Sequence, residues 1–164
     1  MHQSVLVAIT DKSQILLTKR RDIPVWVFPG GKIEDDETRE EAALREGEEE
    51  TGYTLKLVRK IGTYTPRNRL SHYTHFFQAH ITGGSPKTCD ETQSLDFFPM
   101  DKLPYPLPPP YEVMVEHVCQ QGPPVHMPVP NSSYAVLLKG LLQRPDLILR
   151  FLLMKLGIRL NTNR

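Results

Sequence analysis

The stretch Arg45–Tyr53, REGEEETGY, sets four glutamates and a glycine into what reads as the end of one helix. On a helix Glu46, Glu49 and Glu50 fall at i, i+3 and i+4, so three carboxylates share one face. Like charges at these spacings repel by roughly 0.2–0.5 kcal/mol per pair even when exposed. A surface built only for solubility would interleave lysines, whereas the nearest base here is Arg45. Hard carboxylate oxygens on a rigid element suit Mg²⁺ or Mn²⁺, which keep several waters and share their remaining positions with phosphate oxygens.

Working outward, residues 34–50 hold ten of the nineteen acidic residues, with only Arg39 and Arg45 as bases. That segment carries −8 in a chain of net charge +1, so the remainder sums to +9. An acidic patch in a basic surround suits a site that holds divalent cations and then an anionic substrate. On charge alone, a solvated helix face is the plainer alternative.

The flanks supply a mixed α and β scaffold. Residues 3–9 and 14–19 are apolar or β-branched runs around TDKS and predict a hairpin. VWVF at 25–28 is a short strand stopped by Pro29-Gly30-Gly31. Thr38-x-x-Glu41 is a capping box that opens the helix, and Gly52 ends it. Strands are predicted over 53–64, 72–81 and 94–100. Proline clusters at 104–110 and 123–130 bracket a helix ending near Gln121.

At 164 residues the chain has room for one domain and an appendage. Cys89 and Cys119 fit no zinc or C-x-x-C spacing, and MHQSVLVAITDK lacks the features of a secretion signal. A cytoplasmic protein with reduced thiols is the expectation. No P-loop and no G-x-S-x-G elbow is present. The basic residues lack interleaved aromatics, so no nucleic-acid partner is expected.

Residues 31–53 resemble the Nudix box of the Nudix hydrolases, G-x5-E-x7-R-E-U-x-E-E-x-G-U, where U is a bulky apolar residue. Gly31, Glu37, Arg45, Glu46, Glu49, Glu50, Gly52 and Tyr53 fill their positions. The preceding FPGGKIE is similar to MutT-type members. The resemblance implies an α/β (α+β) fold, the Nudix α/β/α sandwich with a mixed sheet, over residues 1–122. Residues 123–164 are then a proline-rich linker and an apolar, basic helical extension.

It also implies roles for individual side chains. Glu46, Glu49, Glu50 and the carbonyl of Gly30 would ligate Mg²⁺, or Mn²⁺, with Glu37 acting further out and Arg45 orienting the glutamates. The general base is either a box glutamate or Glu91, from a later loop. Arg20 would contact phosphate and Phe28 would line a base pocket, as in MutT-like enzymes. Arg67 and Arg69 could grip phosphates as forked donors. The implied reaction is hydrolysis of a diphosphate bond, foremost in a nucleoside triphosphate, including oxidised dNTPs. The alternatives are ADP-ribose, a nucleotide sugar or a dinucleoside polyphosphate, or a Nudix-fold nucleotide-binding regulator without turnover.

Gly47 departs from the pattern, because the family has an aliphatic residue there. Glycine within a helix costs roughly 0.5–1 kcal/mol relative to alanine. With Ala43 four residues earlier it makes a small-residue seam, which predicts close approach of a large side chain from the sheet. For the tail, a second helix is predicted over 145–157. Its uses are packing on the domain first, then a homodimer interface, then contact with a membrane surface.

Overall fold

The computed structural model describes residues 3–68, 71–133, 135, 136, 139 and 143–155. Arg69 lies outside the described residues, as does most of the helix predicted to follow Asn131–Ser133. The described strands are β1 (Gln3–Asp11), β2 (Gln14–Arg20), β3 (Trp26–Val27), β4 (Tyr53–Thr65), β5 (Tyr73–Gly84), β6 (Thr92–Pro99) and β7 (Val125–Pro128). The described helices are α1 (Arg39–Thr51), α2 (Tyr111–Cys119) and α3 (Pro145–Lys155). The mixed sheet runs β3-β2-β1-β5-β4-β7, with β6 also paired to β2. β1 is parallel to β5, and β4 is antiparallel to it.

Strand alternation divides the core between the two faces of the sheet. Val5, Val7, Ile9, Leu16, Phe77 and Ala79 turn to one face and bury Ala42 and Ala43 of α1. Ala8, Ile15, Leu17 and Phe76 turn to the other, with Met114, Val115 and Val118 of α2. Helix, sheet and helix therefore stack as three layers, the α+β sandwich the resemblance implies.

Residues 123–130, anticipated as linker, contain β7, which pairs parallel with β4 from Gly62↔Val125 to Thr65↔Pro128. The physical reason lies in Gly62: a side chain on it would collide with Val125, so glycine lets the two backbones approach. A four-residue edge strand ending in proline has almost no periodicity to reveal it.

The hairpin of β1 and β2 pairs only near its turn, at Thr10↔Ile15 and Asp11↔Gln14. The wedge left by the splaying strands is filled by residues 29–33. Val7 N–H donates to the Pro29 carbonyl at 2.8 Å, Val5 N–H to the Gly31 carbonyl at 2.9 Å, and Ile33 N–H to the Gln3 carbonyl at 3.1 Å. Gly30 sits at φ +154° against β1, where a Cβ would strike the Val5 carbonyl. Only glycine fits there.

Candidate active site

Helix α1 delivers the glutamates, and its two ends fix how they arrive. Thr38 Oγ1 accepts the Glu41 N–H at 3.2 Å while a Glu41 carboxylate oxygen accepts the Thr38 N–H at 2.8 Å, closing the predicted capping box. Gly52, at φ 75°, donates its N–H to the Glu48 carbonyl at 2.8 Å and ends the helix. Ala43, Gly47 and Thr51 form a buried stripe that brings the helix close to the sheet. The sheet side chain that meets Gly47 is Leu55, whose Cδ1 lies 2.5 Å from where a Cβ would stand. Glu48 points elsewhere, accepting the Leu55 N–H at 2.9 Å, so it leaves the row to Glu46, Glu49 and Glu50.

Arg45 organises this face. It donates twice to Glu37, at 2.9 and 2.6 Å, once to Glu46 at 2.9 Å and once to Glu49 at 3.4 Å. It also donates to the Lys32 carbonyl at 3.2 Å, tying helix to wedge. Glu37 accepts the Glu34 N–H at 2.8 Å. These bonds, led by those from Arg45, hold the Glu37 carboxyl down at about 2.

Glu50 is different. The Gly30 N–H reaches it at 3.4 Å. Burial pushes its carboxyl up to about 7 against that bond, and the like charges of Glu46 and Glu91 add to the rise. Glu46 is also shifted upward, by burial first. Pro29 and Gly31 turn their carbonyls to β1, while the Gly30 N–H turns to Glu50.

This donor set fits a hard divalent cation. Its members are carboxylates, two of them are raised by burial first and by neighbouring like charges after it, and glycine at 31 leaves room for the Glu46 carboxylate, which a Cβ would strike. Among the described residues no three acidic, histidine or cysteine side chains stand close enough together to hold a metal ion, and Arg45 is bonded to Glu37, Glu46 and Glu49. His75 is not a donor to the site: it is buried against Gln3 and Thr63.

Bordering Gly30 and Gly31, which Glu50 and Glu46 approach, opens a cavity of about 570 Å³. Arg20, Gly30 and Gly31 line one end. Arg20 is clamped by Asp22, Nε to Oδ1 at 2.9 Å and Nη2 to Oδ2 at 2.6 Å, and it feels the charges of Glu91 and Glu50. Glu91, an exposed loop residue, is thus brought to the same region. Phe28 is not on the cavity wall. It is 1% exposed, packed in the core between Phe76 and Tyr111, and Tyr111 lines the cavity in its place. Arg67 is in an exposed turn, where its N–H donates to Ser71 Oγ at 2.9 Å, and it does not line the cavity.

Two contributions were not visible in the sequence. Tyr111 stacks on Phe28 with ring centroids 4.5 Å apart, and its hydroxyl feels both Arg20 and Glu50. Only a bulky aromatic at a helix start hinted at it. Leu147 and Ile148 of α3 form a further wall.

A three-layer α+β fold whose helix α1 carries a carboxylate row, next to a cavity that Arg20 lines, is the frame of a hydrolase acting on pyrophosphate bonds. More narrowly, the chain belongs to the Nudix family: the NUDIX domain model matches residues 1–118. It is 35% identical over 146 residues to a Bacillus subtilis (strain 168) protein provisionally assigned as an 8-oxo-dGTP diphosphatase, covering 88% of this chain and 93% of that one. It is 35% identical over 112 residues to an ADP-ribose pyrophosphatase of Methanocaldococcus jannaschii, covering 63% and 66%. The crystal structure of a MutT NUDIX hydrolase from Burkholderia pseudomallei superposes with a TM-score of 0.62 at 29% identity, over 71% of this chain and 97% of that one. Among the described residues, no helix is long and apolar enough to cross a membrane.

Proposed function

We propose that the protein is a divalent-cation-dependent nucleoside triphosphate pyrophosphohydrolase whose substrates include oxidised purine deoxynucleotides. The observation that carries this reading is one cavity that combines a phosphate end, Arg20 with Gly30 and Gly31, and an apolar chamber walled by Tyr111, Met114 and Pro106. Its volume of about 570 Å³ falls in the range of pockets for drug-sized ligands. Similarity over nearly the full length of the Bacillus subtilis relative supports the same substrate class.

Glu46, Glu49, Glu50 and the Gly30 carbonyl would hold Mg²⁺ or Mn²⁺. When bound, the cation neutralises phosphate charge and makes water a stronger nucleophile. Arg20, fixed by Asp22, presents its guanidinium charge to a phosphate oxygen. Arg45 orients Glu37 and Glu46. A carboxylate takes the proton of the attacking water, either from the box or from Glu91, which stands near Arg20 and Glu50. Water adds to phosphorus as the phosphoanhydride bond breaks, giving a nucleoside monophosphate and pyrophosphate.

The test is a product-release screen with Mg²⁺ or Mn²⁺ over NTPs, oxidised dNTPs, ADP-ribose, sugar nucleotides and dinucleoside polyphosphates. Nucleoside triphosphates should turn over best, and Glu50→Gln should abolish the activity. A preference for ADP-ribose, the substrate in the name of the Methanocaldococcus relative, would replace the triphosphate reading. Turnover that survives Glu50→Gln would overturn the assigned chemistry.

A further inference from the structure

The match to the NUDIX domain ends at residue 118, yet the cavity does not. Part of its wall comes from the C-terminal segment, where Leu147 and Ile148 of α3 line the same chamber as Tyr111. Leu147 is 8% exposed, so this part of α3 is packed rather than laid loosely on the surface, while Leu149, two positions on, is 57% exposed.

Two polar contacts hold the wall in place. Arg150 Nη1 donates to the Asp22 carbonyl at 3.2 Å, and Asp22 is the residue whose carboxylate clamps Arg20. At the start of α3, Arg144 is paired with Asp146 at 2.8 Å and faces the hydroxyl of Tyr105, across the rim on the proline-rich loop. The helix is therefore anchored at once to the loop that follows Arg20, whose Asp22 clamps that arginine, and to the rim of the chamber.

We propose that α3 is the specificity element of this enzyme, and that Ile148 sets the size of base the chamber admits. The inference rests on the triphosphate reading of the site and adds which residue selects among triphosphates. Chemistry is supplied by α1 and the glycine wedge; the base of the nucleotide packs between Tyr111 on α2 and the aliphatic face of α3. A planar heterocycle gains most from this arrangement, because an aromatic ring and aliphatic side chains line the same chamber. Among the described residues Ile148 lines a cavity to which Glu46, Glu49 and Glu50 do not contribute, so changes to it act on binding of the base more than on the bond-breaking step.

The experiment uses the full chain and compares purine with pyrimidine triphosphates for wild type, Ile148→Trp and Ile148→Ala. Narrowing the chamber in Ile148→Trp should raise KM for the purine substrate roughly ten-fold, well beyond its effect on the pyrimidine, as expected for a steric change in an apolar pocket. Ile148→Ala should shift the ratio of purine to pyrimidine kcat/KM in the opposite direction, and it keeps the test open if the tryptophan variant does not fold. Purine and pyrimidine KM values that move together, or do not move, overturn the assignment of Ile148. Absence of any triphosphate turnover in wild type overturns the underlying functional reading instead, so the two failures are distinguishable.

Discussion

Arg45 and Glu37 meet as a two-pronged pair, Nε to Oε2 at 2.9 Å and Nη2 to Oε1 at 2.6 Å. The fork joins the loop before α1 to the middle of the helix and leaves Nη1 for Glu46. A lysine keeps the charge but has no fork, so it cannot hold Glu37 and Glu46 together. Arg45→Lys should therefore lower kcat by about 10–100-fold, the usual cost of losing a residue that orients ligands. In the same variant the Glu37 carboxyl, held at about 2 chiefly by Arg45, should rise toward the ordinary carboxylate range, as read by NMR titration. A kcat within two-fold of wild type would show that the glutamates need no such brace.

The pH behaviour of Glu50 ties stability to the cation. Burial pushes its carboxyl up to about 7. Between the usual carboxylate value and 7 the folded, metal-free protein binds more protons than the unfolded chain, so this group's contribution to stability falls as pH rises through that window. A cation at Glu50 opposes the loss. The gain in Tm on adding Mg²⁺ should accordingly be larger at pH 8 than at pH 5.5. Glu50→Gln should flatten the metal-free Tm across the same range and remove most of the gain. A Mg²⁺ effect that is equal at both pH values, measured by thermal denaturation, would separate Glu50 from cation binding.

What could be read from the sequence was whatever is local. The cap at Thr38, the stop at Gly52 and the spacing of Glu46, Glu49 and Glu50 are all set within one helix. The tight seat of Gly47 was readable too, because an energetically costly glycine has few other uses. Contacts between distant segments were not readable. Phe28 and Tyr111 stack across 83 positions, and nothing near Phe28 says that another ring will cover it. For the same reason β7 depends on the glycine at 62 in a strand far from it, and the wall at Ile148 depends on where α3 docks.

Gly47 and Leu55 make a pair whose coupling can be measured. Alanine at 47 gains about 0.5–1 kcal/mol of helix propensity. Its Cβ would lie 2.5 Å from Leu55 Cδ1, in a cluster with Val5, Val7 and Phe77, and overpacking of that kind costs about 1–3 kcal/mol. The clash should win, with Gly47→Ala destabilising by about 1 kcal/mol net. Leu55→Val shortens the opposing side chain. In that background Gly47→Ala should become neutral or stabilising, a coupling of about 1 kcal/mol or more in a double-mutant cycle by urea unfolding. Additive effects would mean that Leu55 is not what keeps position 47 a glycine.

His75 predicts an acid sensitivity unrelated to the site. It is 1% exposed, with Nε2 2.8 Å from Gln3 Oε1 and Nδ1 3.4 Å from Thr63 Oγ1. Burial, helped by the positive charges of Arg39 and Lys60, pushes its imidazole down to about 4. Below the ordinary histidine value the unfolded chain takes up a proton that the folded protein refuses. The contribution is thus fully present above about 6.5 and is lost as pH falls toward 4. The loss should be on the order of 2–3 kcal/mol. Glu50 works in the opposite sense over part of this range, so wild type must be compared with a variant that keeps it. His75→Gln retains hydrogen-bonding groups and cannot be protonated. Its stability deficit at pH 7.5, measured by urea unfolding, should shrink or reverse by pH 4.5, whereas a constant deficit would mean that His75 is not the group being titrated.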